Sequence, residues 1–326
     1  MSLISRRAAL AGFTALAGLP LTAHGGQKLR ELTIWGPPAG PSITVAHAIT
    51  AGYMRDIADK VTFKAWRNPD ELRAGLTSGT MQAVVMPVNT AANLYNRGLR
   101  VRLVNVLTNG LLYMVATDAS LSSIVALKGR TIVLPFRGDT VELTLRRLLA
   151  LHGLNADTDL SLQFAGTPME AIQLLYAGRA DAALLPEPAA AAAIMRAGMV
   201  GKQVTRTMDM QQIWSAVAAQ GRPLPQAGLG VSEAFLREQP GLVTALHEGL
   251  VQTTAAVNAN PSHGAKDAAD ALGMPAPVLA AAIPYCNLVA VTAREARPSI
   301  EAAFQQIAAM DPRILGGKIP DSDFYL

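Results

Sequence analysis

Cysteine is almost absent from this 326-residue chain. The one present, Cys286, excludes an intrachain disulfide and any cysteine-cluster metal site, and reads as a buried, unreactive thiol. Aromatic residues make up only 5% and no run of lysine or arginine occurs, which excludes the basic, aromatic-studded surface of a nucleic-acid binder. The five histidines, His24, His47, His152, His247 and His263, show no metal-ligand spacing. No Ser-His-Asp order, nucleotide-binding loop or pair of catalytic acids stands out. No catalytic residue, metal or cofactor is therefore expected, and no nucleic-acid partner.

Half of the residues are hydrophobic, enough for two compact domains in a chain of this length. The formal charge of +4 becomes +2 once residues 1–26 are set aside, because they carry Arg6 and Arg7 and no acid. Those 26 residues have the shape of an export signal: a basic start, an apolar run over 8–19 too short to span a membrane, then small residues around Ala23. The arginine pair resembles a twin-arginine signal, though Ala9 stands where that motif favours a bulky side chain, so general secretion is an equal alternative. No cysteine lies near the cleavage zone. A lipoprotein anchor is excluded, and a periplasmic location with a monomeric, freely diffusing protein is expected.

Strand-like and helix-like segments alternate beyond the signal, the pattern of an α/β fold with mostly parallel sheets. The order recurs 99 residues later. Asn68-Pro69-Asp70-Glu71 matches Thr167-Pro168-Met169-Glu170, each a helix cap, a proline at the first helical position and a glutamate at the third. Gly79 matches Gly178 as a helix stop, Ala83 matches Ala182, and Pro87 matches Pro186. Two similar lobes follow: residues 27–119 with 222–326 as the first, and 120–221 as the second. Residues 204–217 read as a return strand. The C-terminal helices are expected on the first lobe, with the Phe324-Tyr325-Leu326 tail laid across its surface. Residues 127–149 open the second lobe as a strand, a turn at Gly138 and a helix capped by Asp139, with Glu142 as the capping-box partner.

The ordered set R-N-P-D-E-L (67–72), P-V-N-T-A-A-N-L-Y-N-R-G (87–98), L-K-G-R-T-I-V-L-P-F-R-G-D (127–139), A-G-R-A-D-A-A-L-L-P-E-P (177–188) and I-P-D-S-D-F-Y (319–325) covers most of the chain. It resembles the periplasmic substrate-binding proteins of ABC importers in the nitrate, sulfonate, taurine and thiamine-precursor group (NitT/TauT-like). The resemblance implies a type II two-lobed fold, a hinge, a small-molecule ligand in the cleft between the lobes, and an inner-membrane permease as partner. It departs at Gln82, where the family often has an aspartate like Asp181. Enzymes share the fold. A thiamine-pyrimidine synthase would require a cysteine-rich iron motif, and menaquinone-pathway relatives work in the cytosol. A ligand-sensing partner of a membrane receptor would use the same clamp.

Ligands of open α/β sheets lie beyond the carboxyl ends of the strands. That rule nominates Gly36, Pro37 and Ser42; Trp66 and Arg67; Asn89 and Thr90; Arg137, Gly138, Asp139 and Thr140; Glu187; and Asn109 from the connecting strands. Helix N-termini beside hydroxyl and amide side chains suit an anionic group. Asp139, Ser42 and Thr90 are equally well explained as helix caps, and Trp66 as core or as a flat wall. Glu187, between two prolines, either contacts an amine or N–H donor of an organic ligand, or pairs with a lobe arginine or helps to dock the permease. Arg67 or Arg137 could otherwise intervene between Glu187 and Asp139.

Overall fold

A computed structural model describes residues 28–326. The export signal read over residues 1–26, and His24 with it, lie outside the described residues. The chain begins with β1 (Leu29–Gly36), α1 (Gly40–Thr50), β2 (Ala58–Ala65), α2 (Pro69–Ser78), β3 (Ala83–Pro87), α3 (Val88–Leu94), β4 (Val101–Leu103) and β5 (Asn105–Thr108). It then crosses to β6 (Leu112–Ala116), β7 (Thr131–Pro135), α4 (Thr140–Leu151), β8 (Ser161–Ala165), α5 (Pro168–Tyr176), β9 (Ala182–Pro186), α6 (Ala189–Met199), β10 (Thr205–Asp209) and α7 (Met210–Val217). A second crossing leads back to β11 (Ala227–Ser232), α8 (Glu233–Glu238), α9 (Pro240–Ala259), α10 (Pro261–Leu272), α11 (Ala276–Ala282), β12 (Leu288–Thr292) and α12 (Ala293–Met310).

Two sheets result, one per lobe. The first runs β12-β5-β11-β3-β1-β2 with β4 also on β11, and the second β10-β6-β9-β7-β8. In each sheet three consecutive strands, β2-β1-β3 and β8-β7-β9, are parallel, and antiparallel strands extend them on one side. Both faces of each sheet are covered, so the inner strands β3, β6, β7 and β9 are buried and apolar along nearly all their length, whereas the edge strands β2, β8 and β10 keep polar positions. Ile132 and Leu134 face the core under α4 and α7, while Val133 faces the one under α5 and α6. In the first lobe Val84 and Met86 face α2, α3 and α12, and Ala83 and Val85 face α1 and α9.

The internal repeat is visible in the hydrogen bonds. Asn68 accepts from the Glu71 amide at 3.0 Å and Thr167 from the Glu170 amide at 3.2 Å. Each glutamate reaches back to an amide ahead of its helix, Glu71 to Arg67 and Glu170 to Gly166, both at 2.7 Å. Gly79 and Gly178 both end their helices in the left-handed region, at φ 76° and 67°. The register refines the offset: Ile34 pairs with Phe63 and Ala83, whereas Ile132 pairs with Leu162 and Ala182. The second and third strands are thus 99 residues apart and the first strands 98, so Ser42 corresponds to Thr140.

Four other expectations change. Residues 112–116 belong to the second lobe, because Asn109-Gly110 is a crossing between sheets and β6 pairs with β9 and β10. Residues 204–217 form a short strand followed by a helix, since the Asp209 carboxylate accepts from the Gln212 amide and starts α7. Strand β12 was not foreseen. The tail is core and not a surface strap: Phe324 and Tyr325 are 0% and 2% exposed, packed with Phe304 and Leu103. The C-terminal helices do pack on the first lobe, and α11 and α12 also reach α6 and α4 of the second.

One glycine is dictated by this arrangement. A Cβ at Gly228 would lie 1.8 Å from the Asn105 carbonyl oxygen, where β11 passes over β5. For the tail, Phe324→Ala should destabilise the protein by about 3–5 kcal/mol, the usual cost of emptying a buried phenyl site, measured as a lowered urea midpoint.

Candidate ligand cleft

In each lobe two strands end, turn and start helices whose first turns lie at the contact with the other lobe. On the first lobe these are the N-termini of α1 and α3; on the second, those of α4 and α6. The lobes touch at these points. The Gly40 amide donates to the Glu187 carbonyl at 3.2 Å, and the Thr140 hydroxyl donates to Asn89 Oδ1 at 2.9 Å. Beside the second contact, Asn89, Thr140, Thr144, Gln226 and Trp214 line a cavity of about 20 Å³, room for about one water molecule. Trp214 Nε1 is buried and has no partner among the described residues. An organic solute enters here only if the lobes separate.

The capping reading of the 137–142 turn holds. Asp139 accepts from the Thr140 amide, and Glu142 Oε2 accepts from the Gly138 amide, both at 2.7 Å. Gly138 adopts φ 75°, which only glycine takes without strain. Asp139 is half-buried, and burial raises its carboxyl above the usual range, partly offset by the hydrogen bonds from Thr140.

Glu187 is placed differently from the ligand-contact alternative. It is 0% exposed, its Oε1 accepts from Arg206 Nε at 2.7 Å, and its Oε2 accepts from the Ala191 amide at 3.1 Å. Both oxygens are thus spent within the second lobe: the carboxylate caps α6 and neutralises Arg206. Burial pushes its carboxyl up, opposed by the charge and hydrogen bonds of Arg206. The Arg206 guanidinium also stacks 3.7 Å from the ring of Tyr285, on the first lobe, and 5.4 Å from that of Tyr113.

Four other nominated residues make their observed contacts within their own lobe or at the crossing. Trp66 is core, with Nε1 donating to the Val85 carbonyl at 3.2 Å. Arg67 is 83% exposed and paired with Glu71 on the outer surface. Arg137 lies over the Phe164 ring at 4.1 Å, within the second lobe, and so does not stand between Glu187 and Asp139. Asn109 serves the crossing: its amide donates to the Asn287 carbonyl at 3.0 Å. Ser42 is fully buried with no partner for Oγ among the described residues, and a Cβ at Gly36 would come within 2.5 Å of that oxygen. Thr90 and Pro37 are half-buried at the same rim. Sequence reasoning missed Arg206, Tyr113 and Tyr285. The only available signal was a lone arginine on the last strand of the second lobe.

One side chain links the two crossings directly. The Gln226 amide donates to the Thr108 carbonyl, its carbonyl accepts from Val88, and its side-chain oxygen accepts from the Leu111 amide, all at 3.0 Å.

Residues 66–273 match the model of the NMT1-like family. The chain belongs to that family. No curated protein sequence matches it. Solved structures share the two-lobed fold of the family: an ABC transporter protein from Parabacteroides distasonis, 22% identical, covers 91% of this chain and 98% of its own, with a TM-score of 0.72. The periplasmic aliphatic sulphonate binding protein SsuA from Escherichia coli is 15% identical over 89% and 95%, TM-score 0.70. The periplasmic nitrate-binding protein NrtA from Synechocystis PCC 6803 is 12% identical over 77% and 69%, TM-score 0.58.

Two outcomes follow from the family fold as built here. Arg206→Ala should cost about 3–5 kcal/mol, because it strands the buried Glu187 carboxylate, and Arg206→Ala with Glu187→Gln should recover most of that loss; denaturant midpoints of the single and double variants decide. Asp139 has a folded-state value above its ordinary 3.8, so its share of stability is full below that value and is lost as pH rises through the raised one. Asp139→Asn keeps the cap and removes the ionisation. The variant should therefore lose less stability than the parent between pH 4 and 7.

Proposed function

We propose that this chain is an extracytoplasmic solute-binding protein, which captures a small organic molecule between its lobes and delivers it to the permease of an ABC importer. The observation that carries this reading is the convergence of four helix N-termini, two from each lobe, on a single cleft whose walls already touch at Gly40–Glu187 and Asn89–Thr140. The names of its structural relatives, which bind sulphonate or nitrate in the periplasm, support the same role. Residues assigned to the cleft are Gly36, Pro37, Ser42, Asn89, Thr90, Gly138, Asp139 and Thr140. Export to the periplasm, a monomeric state and the absence of turnover belong to this reading.

The ligand class follows from charge. Glu187 is neutralised by Arg206, whereas Asp139 has no basic side chain within hydrogen-bonding distance among the described residues and feels only the more distant charge of Arg73. A half-buried carboxylate with no cation bonded to it favours a ligand carrying an amine or N–H donor over nitrate or a sulfonate. Ligand bridges the lobes in the closed state and shifts the population towards it, and the permease reads that state.

A thermal-shift screen of amines, N-heterocycles, sulfonates and nitrate identifies the ligand, and calorimetry measures it. Asp139→Asn should weaken an N–H ligand by about tenfold, the loss of one charge-assisted hydrogen bond. Unchanged affinity, or tighter binding of a plain anion, overturns the ligand class. Small-angle scattering should show compaction at saturation. An unchanged radius, or chemical conversion of the bound compound, overturns the transport role.

A further inference from the structure

Away from the cleft, the first lobe gathers three side chains from two helices distant in the sequence. His47 lies in the last turn of α1, and His263 and Asp267 stand one turn apart on α10. His47 Nδ1 is 2.7 Å from Asp267 Oδ2, and His263 Nε2 is 3.7 Å from the same oxygen. The two imidazoles meet edge to face at 5.1 Å. One donor atom from each residue falls within 4.8 Å of the others.

We infer that His47, His263 and Asp267 form a binding site for a divalent transition metal, zinc foremost, which ties α1 to α10. Two imidazoles and a carboxylate make the three-protein-ligand set that leaves a fourth tetrahedral position for water. Bonds of about 2.0–2.2 Å place tetrahedral ligand atoms about 3.3–3.5 Å apart. The observed 2.7 and 3.7 Å straddle that value and all three donor atoms lie within 4.8 Å of one another, so side-chain rotation can bring them round a common centre. Mixed nitrogen and oxygen donors select zinc, nickel or cobalt over magnesium and calcium. An ordinary structural His–Asp hydrogen bond accounts for His47 and Asp267 alone. It does not account for His263, whose ring turns towards the same oxygen from beyond hydrogen-bonding distance. Burial is graded as a metal site needs: the His47 side chain is 2% exposed, Asp267 16% and His263 60%. The two inner ligands are held by packing, and the outer one leaves an entry path and room for solvent.

The full chain, without an added histidine tag and stripped with chelator, is titrated with zinc chloride by calorimetry and with cobalt chloride by visible absorption. One zinc per chain, a raised melting temperature and tetrahedral cobalt bands are expected. His263→Ala should weaken zinc by at least about tenfold, the lower end of what even outer-shell changes cost, with an unchanged circular dichroism spectrum because the residue is exposed. Asp267→Asn should do the same, while His152→Ala in the second lobe leaves affinity untouched. No zinc uptake at millimolar concentration by the parent, or equal affinity in His263→Ala, overturns the site.

Discussion

The two chain crossings between the lobes meet at Gln226. Only two stretches join the sheets, one around Asn109-Gly110 and one around Pro225, and the Gln226 side chain accepts from one while its backbone pairs with the last residue of β5. A buried amide with both crossings as partners fixes where they separate. Asn287 reinforces the joint by donating from Nδ2 to the Gly110 carbonyl at 2.9 Å. Because Val88, the first residue of α3, donates to the Gln226 carbonyl, the joint also sets the N-terminus that carries Asn89 to the cleft.

Charge in the cleft is arranged unevenly. The two carboxylates at equivalent helix starts, Asp139 before α4 and Glu187 before α6, both accept from backbone amides, as the positive end of a helix favours. Among the described residues only Glu187 is directly paired with a guanidinium, while Asp139 feels that of Arg73 from further off. The Arg206 guanidinium stacks on Tyr285 of the opposite lobe, so one acid is locked into the lobe contact and the other stays at the rim. The chemistry proposed for the ligand rests on this asymmetry.

Local features were legible in the sequence because they depend on neighbours a few residues apart. The caps at Asn68, Thr167 and Asp139 and the stops at Gly79 and Gly178 follow from contacts within one turn, and the two-lobed repeat from their recurrence 99 residues on. What depends on distant partners was not legible. Trp66 and Arg67 sit at a strand end, as the cleft rule asks, but one turns to Val85 and the other to Glu71. Glu187 needed Arg206, and the tail needed Phe304, to be placed correctly. The histidines followed the same logic: no spacing in the chain joins His47 to His263, and only the packing of α10 on α1 does.

The contact between lobes is not purely polar. Ala191, from the second lobe, packs among Ile43, Ala46, Leu279 and Ile283 of the first, and Ala303 of α12 sits in the second lobe's core. Any parting of the lobes wets these surfaces. Apolar burial carries a negative heat-capacity change and weakens on cooling. The balance between shut and open forms is therefore a thermometer as well as a ligand detector: at low temperature the apolar seam holds less firmly, and the polar bridges at Asn89 and Gly40 carry a larger share of the grip.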